Sequence, residues 1–171
     1  ALVLEQSADV TLDGVVSGSG SITKTGTGAL AFTADNTAGN DFTGALHVAG
    51  GSLVLDGAFG DTAGHAASLT MDAGTSLGGT GTFLGSVIVD GTLAAGNSPG
   101  TLTIAGNLTL GAGAILNYEL GESGTAGGAN NDLVVVGGNL TLDGTLNTVA
   151  FGAGYGPGYY RLFDYGGTLT N

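Results

Sequence analysis

A chain of 171 residues with 14 acids, one Lys and one Arg carries a net charge of −12. It is repelled by phosphate polyanions and holds too few cations for a basic patch, so nucleic-acid binding is excluded. Charged residues are only 9% and hydrophobic ones 42%, which excludes a charge-solvated disordered segment; the lack of Cys excludes a disulfide or thiolate–metal framework, and no apolar run reaches the length of a transmembrane helix.

From the N-terminus, Ala-Leu-Val-Leu-Glu5 lacks a basic stretch and a long apolar run, and is expected to be internal or mature sequence without its signal peptide. Gly26-x-Gly28-x-x-Ala31 mimics a dinucleotide fingerprint but opens no predicted helix. From there on, short apolar–polar alternations return between Gly corners: Gly51-Ser-Leu53-Val-Leu55, Gly100-Thr-Leu102-Thr-Ile104 and Leu133-Val-Val135. This is period two, the mark of strands. Asp-Gly occurs at Asp13, Asp56, Asp90 and Asp143, and reads as corner chemistry that tolerates positive φ. Residues 34–44, 56–66 and 121–131 are Gly-rich and read as lateral loops. Seven of the eleven aromatics follow residue 117, at Tyr118, Phe151, Tyr155, Tyr159, Tyr160, Phe163 and Tyr165. They read as a bulkier core and end-cap, with a sugar-stacking or protein-binding platform as the functional alternative.

The string Gly-Asn-Leu-Thr-Leu occurs at 106–110 and again at 138–142, 32 residues on. Repetition of one strand-and-turn phrase favours an all-β solenoid of stacked parallel strands over a Greek-key sandwich. A coil of roughly 20 residues gives about eight coils and a rod roughly 40 Å long. The predicted inward residues are Leu53, Leu55, Leu93, Leu102, Ile104, Leu108, Leu110, Leu133, Val135, Leu140, Leu142 and Leu146.

Candidate chemistry is sparse. Gly96-Asn-Ser98-Pro-Gly100 matches a nucleophile elbow, but Pro99 has no N–H to offer an oxyanion, and no helix follows. The available bases, His47 and His65, have no ligand-spaced partner. Gly127-Gly-Ala-Asn130-Asn-Asp132 resembles half of a calcium-binding nonapeptide, with Asn130 where Gly is required and no second copy. Calcium near Asp132 is the weak cofactor expectation; otherwise no catalytic, cofactor-binding or metal residue is predicted. The sequons at Asn107 and Asn139 lie within strands and read as structural. A polysaccharide-cleaving β-helix would need acids clustered with Arg or Lys, whereas Lys24 and Arg161 stand far apart in sequence.

Several phrases in order resemble autotransporter passenger domains. Val15-Val-Ser-Gly-Ser-Gly-Ser-Ile-Thr-Lys24-Thr-Gly-Thr-Gly-Ala-Leu30, continuing through Phe42-Thr-Gly44 to Val48-Ala-Gly-Gly-Ser-Leu53, is similar to the autotransporter-associated β-strand repeat. It departs from the commonest pattern at Asn40-Asp-Phe42. Gly91-Thr-Leu-Ala-Ala-Gly-Asn-Ser-Pro-Gly-Thr-Leu102, Asn131-Asp-Leu-Val-Val-Val-Gly137, Leu142-Asp-Gly-Thr-Leu146 and Tyr160-Arg-Leu-Phe-Asp-Tyr165 resemble phrases of the C-terminal half of such passengers. The resemblance implies a right-handed parallel β-helix with short lateral loops and a C-terminal cap, exported by type V secretion through the protein's own outer-membrane β-barrel. It implies one solenoid unit, with β-strand-repeat coils over 1–90 and autochaperone-like coils over 91–171.

The function expected on this basis is a non-enzymatic, surface-exposed stalk supporting adhesion to host cells or between bacteria. The alternative is a purely structural, autochaperone segment that folds and displays an effector or enzyme domain lying N-terminal to it. Expected partners are the barrel and a host surface protein, a glycan or a second rod, with no membrane insertion of this segment. The expected location is the bacterial cell surface or the secreted fraction.

Overall fold

The computed structural model describes residues 1–35 and 41–171; these hold nineteen strands and no helix. All pairings between the strands are parallel, and they build three sheets around one core. The first sheet stacks eight rungs: Leu2–Glu5, Ser21–Thr25, Ala45–Val48, Ala67–Met71, the second half of Thr82–Val89, Leu108–Leu110, Leu140–Thr141 and Leu169–Thr170. The second stacks seven: Val10–Leu12, Ala29–Phe32, Ser52–Leu55, Ser76–Gly78, Thr92–Ala94, Ile115–Leu120 and Thr145–Ala150. The third holds Ala58–Gly60, the first half of Thr82–Val89, Thr101–Ile104, Leu133–Val136 and Phe163–Tyr165. From Ala45 on the chain visits the three in turn, the earlier strands alternating between the first and second sheets, and this is the β-solenoid predicted from the repeated phrases. Eight rungs about 4.8 Å apart put the end strands about 34 Å apart.

The two Gly-Asn-Leu-Thr-Leu copies lie directly above one another, with Leu108 against Leu140 and Thr109 against Thr141. Sequence identity thus marks register. Coil length, read as the offset along one inward column of the first sheet, varies. Leu2, Ile22, Leu46, Leu69, Val87, Leu108, Leu140 and Leu169 are successive partners. The steps are 18 to 24 residues as far as Leu108, then 32 and 29.

Alternation puts one row of each strand inside. On the second sheet, Leu30, Leu53, Leu77, Leu93 and Leu116 form an unbroken buried column. An aromatic stack, Phe32–Phe59 at 4.2 Å and Phe59–Phe83 at 6.1 Å, fills a corner of the prism. Most predicted inward residues are buried. Three differ. Val135 faces out and half-buried, while Val134 and Val136 point in, because the strand starts its alternation one residue later than the phrase suggests. Leu146 stands above Leu116 in the inward column yet is 48% exposed, since no coil of this chain covers it. Leu142 is half-buried at the edge of the last coil, where its N–H donates to Thr170 O at 2.9 Å.

The predicted loops also change. Of residues 34–44, the five at 36–40 lie outside the described residues. Residues 56–66 are not all loop: Ala58–Gly60 is a rung of the third sheet. Of the four Asp-Gly glycines only Gly144 has positive φ. Gly57 and Gly91 are needed instead because a Cβ would strike the backbone of the coil beneath, at Ala34 and Thr75. The aromatic-rich end divides. Tyr118 is buried, Tyr160 and Phe163 pack against the core, and Tyr155, Tyr159 and Tyr165 are exposed.

Candidate functional site

Where a coil turns between sheets, backbone N–H groups lose their strand partners, and an unpaired one is costly. Short acceptor side chains of the coil beneath take them. The Asp9 carboxylate accepts from Ala29 N at 2.7 Å, Asp35 from Ala58 N at 3.1 Å, Asp41 from Thr62 N at 3.0 Å and Asp56 from Thr80 N at 3.3 Å. Along another corner, Ser86 accepts from Asn107 N, Asn107 from Asn139 N, and Asn139 from both Thr168 N and its hydroxyl. Both sequon asparagines therefore use their side-chain oxygens as inter-coil staples. Asp61 closes its own turn with Ala63, Gly64 and Ala66, and those N–H bonds, led by Ala66, hold its carboxyl below the usual range. Much of the acidic surplus is corner chemistry rather than a reactive surface.

Lys24, the chain's one lysine, is completely buried. It occupies the inward column between Leu4 and Val48, and its ammonium donates to Gly50 O at 2.7 Å and Gly26 O at 3.4 Å. Burial lowers its pKa, opposed by the charge of Asp9. Gly51 sits in the left-handed region, at φ 70°, and a Cβ there would press on Lys24 Nζ at 2.7 Å. The lysine thus clamps two coils through their glycine corner. It cannot join Arg161 in a polysaccharide-cleaving site.

Ser98 has φ 72° and donates its hydroxyl to Glu119 Oε2 at 2.6 Å. Stacking brings this pair together with Asp132 beside a groove of about 460 Å3 lined also by Asn117, Tyr118 and Val149. The nucleophile pattern is not completed there. Pro99 has no N–H, Gly100 N is bound to Asp132 Oδ1 at 2.8 Å, and His47 pairs with Asp72 at 2.9 Å instead. His65 lies in a separate turn at φ 52°. Asp132 is buried, and its other oxygen accepts from Glu119 N at 2.7 Å. Burial pushes its carboxyl up, the two N–H bonds oppose this, and the Glu119 charge adds to it. Each Asp132 oxygen is thus occupied by a backbone donor, and among the described residues no three His, Cys, Asp or Glu side chains gather as metal ligands. Gly26 and Gly28 lead into a strand, Ala29–Phe32, not a helix.

The two enlarged coils put their extra residues into lateral loops at 121–131 and 151–162. The first was legible as Gly-rich sequence; the second was masked by its aromatics, which read as a cap. Asn131, 1% exposed, staples the first loop with four bonds: its Oδ1 accepts from Gly121 N and Glu122 N, and its Nδ2 donates to Glu122 O and Thr125 O. The second loop is fixed by Tyr118 Oη donating to Leu162 O at 3.0 Å, and by Tyr160 Oη, which bonds both N and O of Gly156. The loops touch: Gly124 N donates to Tyr159 O at 2.9 Å, and a Cβ on Gly158 would lie 2.5 Å from Ser123 Cβ. Between them a concavity of about 200 Å3 is lined by Gly124, Thr125, Ala126, Tyr159 and Arg161. Tyr159 is 93% exposed and Tyr155 stacks on Tyr160 at 5.8 Å.

No family model matches the chain. Over 87 residues, 50% of its length, it is 45% identical to the adhesin BmaC autotransporter of Brucella suis biovar 1 (strain 1330). The match covers 2% of that protein. The chain is therefore related, over half its length, to a short stretch of an autotransporter adhesin.

Proposed function

We propose that the chain is a surface-displayed segment of a Gram-negative autotransporter passenger, a β-solenoid stalk that supports adhesion to host cells or between bacteria. The observation that carries this reading is the 45% identity to an autotransporter adhesin, joined to a fold that is almost wholly stacked scaffold. Export would run through the periplasm and the protein's own outer-membrane β-barrel. The autotransporter-associated repeat type belongs to the same proposal, as does the absence of enzymatic activity. A rod of staples and core columns presents its chemistry on whatever leaves the coils, and insertions in solenoids commonly gather on a binding face.

The test is deletion of residues 1–171 from the passenger. Adhesion to host cells or between bacteria should fall while the remaining passenger is still exported. If adhesion is unchanged and export alone fails, the segment is a folding and display module. That second reading has its own support in the inter-coil bonding after residue 90, where Asn107 and Asn139 staple successive coils. It predicts that removing residues 91–171 leaves the passenger poorly exported or protease-sensitive.

A further inference from the structure

The concavity between the lateral loops has features that coil stacking does not call for. Two successive coils are lengthened on the same side. Each loop is pinned by buried or half-buried side chains, Asn131 in one and Tyr160 in the other, so its shape is set before any partner arrives. Their contact leaves one aromatic ring, Tyr159, in solvent above a floor of Gly124, Thr125 and Ala126. Beside it stands Arg161, the chain's single guanidinium.

From this juxtaposition we propose that the loop pair is a saccharide-binding site that takes one neutral pyranose unit of a glycan, with Tyr159 as the stacking platform and Arg161 as the hydroxyl donor. The proposal rests on the adhesin reading above and names its ligand class. A pyranose offers an apolar C–H face and a rim of hydroxyls. An exposed Tyr ring matches the first, because aromatic faces bind apolar surface while keeping a polar tip in water. A guanidinium fork and loop backbone match the second. The volume suits one ring, being below the range of about 300–1,000 Å3 that holds larger ligands. Neutrality follows from charge. Arg161 Nη1 is held by Asp164 at 3.3 Å, which offsets the cation, and the chain's net charge of −12 repels acidic sugars. An apolar peptide anchor is disfavoured because Ala126 is the only aliphatic side chain of the floor.

The test is saturation-transfer NMR on the full 171-residue chain with lactose, cellobiose and N,N′-diacetylchitobiose as neutral probes and digalacturonate as the acidic one. At least one neutral disaccharide should receive saturation on its ring-face protons, and digalacturonate should bind more weakly. Tyr159→Ala should weaken binding about fivefold or more, and Arg161→Ala should do the same, while Tyr165→Ala, outside the concavity and in register with Val136, should leave it unchanged. Both site side chains are exposed, so these variants keep the fold, and an unchanged melting temperature verifies it. Binding by no neutral probe, equal or tighter binding of digalacturonate, or a Tyr159→Ala affinity within twofold of the parent would overturn the proposal. Cells that still adhere with Tyr159→Ala, and are not inhibited by free sugar, overturn the saccharide site while leaving the adhesin reading standing.

Discussion

At the scale of the residue, three side chains show how this chain spends its few polar groups. Lys24 is a cation in an apolar column, tolerated because two carbonyls receive it. Its pKa is lowered from 10.5 by burial. Between the lowered value and 10.5 the unfolded chain binds more protons than the folded one, so stability rises with pH through that interval. Tyr118 acts with the opposite sign, since burial raises its pKa well above 10.0 and the folded chain then keeps a proton the unfolded one loses. Denaturation midpoints measured as pH rises towards 10.0, the unshifted tyrosine value, isolate the lysine from Tyr118. They should climb in the parent and stay flat in Lys24→Met, which should be within about 1 kcal/mol of the parent at neutral pH or more stable. Lys24→Ala should instead lose about 2 kcal/mol or more through the cavity. Asp61 gives the acid counterpart. Its pKa is depressed below 3.8, so its contribution is present above that value and is lost as pH falls through the depressed one. Amide exchange at Ala63 and Ala66 should quicken in that range and be fast at neutral pH in Asp61→Ala.

At the scale of the element, one strand is a rung and one corner is a staple. Leu77 lies in the middle of the leucine column, covered by Leu53 on one side and Leu93 on the other. Leu77→Ala should cost about 2–5 kcal/mol by denaturant melting, whereas Leu146→Ala, at the uncovered end of the column, should cost clearly less. Asn107→Ala should lose about 1 kcal/mol by orphaning the Asn139 N–H. These elements also mark what the sequence makes legible. Gly-Asn-Leu-Thr-Leu announces both strand and register, because two identical phrases on adjacent coils satisfy one another's rows. The inward place of Lys24 was readable from the alternation Ile22-Thr-Lys24, but the predicted inward residues were all apolar. The shift at Val135 escaped because four apolar residues in a row, Leu133 to Val136, carry no alternation. The groove of Ser98, Glu119 and Asp132 escaped for a different reason: Ser98 meets Glu119 across coils, 21 residues on, and Glu119 meets Asp132 across the base of a lateral loop, 13 residues on. The lateral loop at 151–162 was hidden by composition, because aromatics near a repeat's end read first as a cap and only second as a platform.

At the scale of the whole molecule, every rung is paired only with its neighbours, so stability is the sum of coil and interface contributions, and local damage stays local. The exterior is hydroxyl-rich and acidic. Parallel rods therefore repel one another, and light scattering of the purified chain should show any self-association to be stronger at about 0.3 M salt than at about 0.01 M, where the screening length is about 30 Å. The division of labour between coils and lateral loops is the central claim, and adhesion of cells displaying the full passenger tests it most directly. Tyr155, Tyr159 and Arg161 are replaced together by Ala, beside a strain carrying the deletion of residues 1–171. The triple variant should reach the surface at parental levels and lose adhesion to the extent that the deletion does. Parental adhesion by the triple variant at equal surface levels would contradict the account and move binding onto the coils or away from this segment.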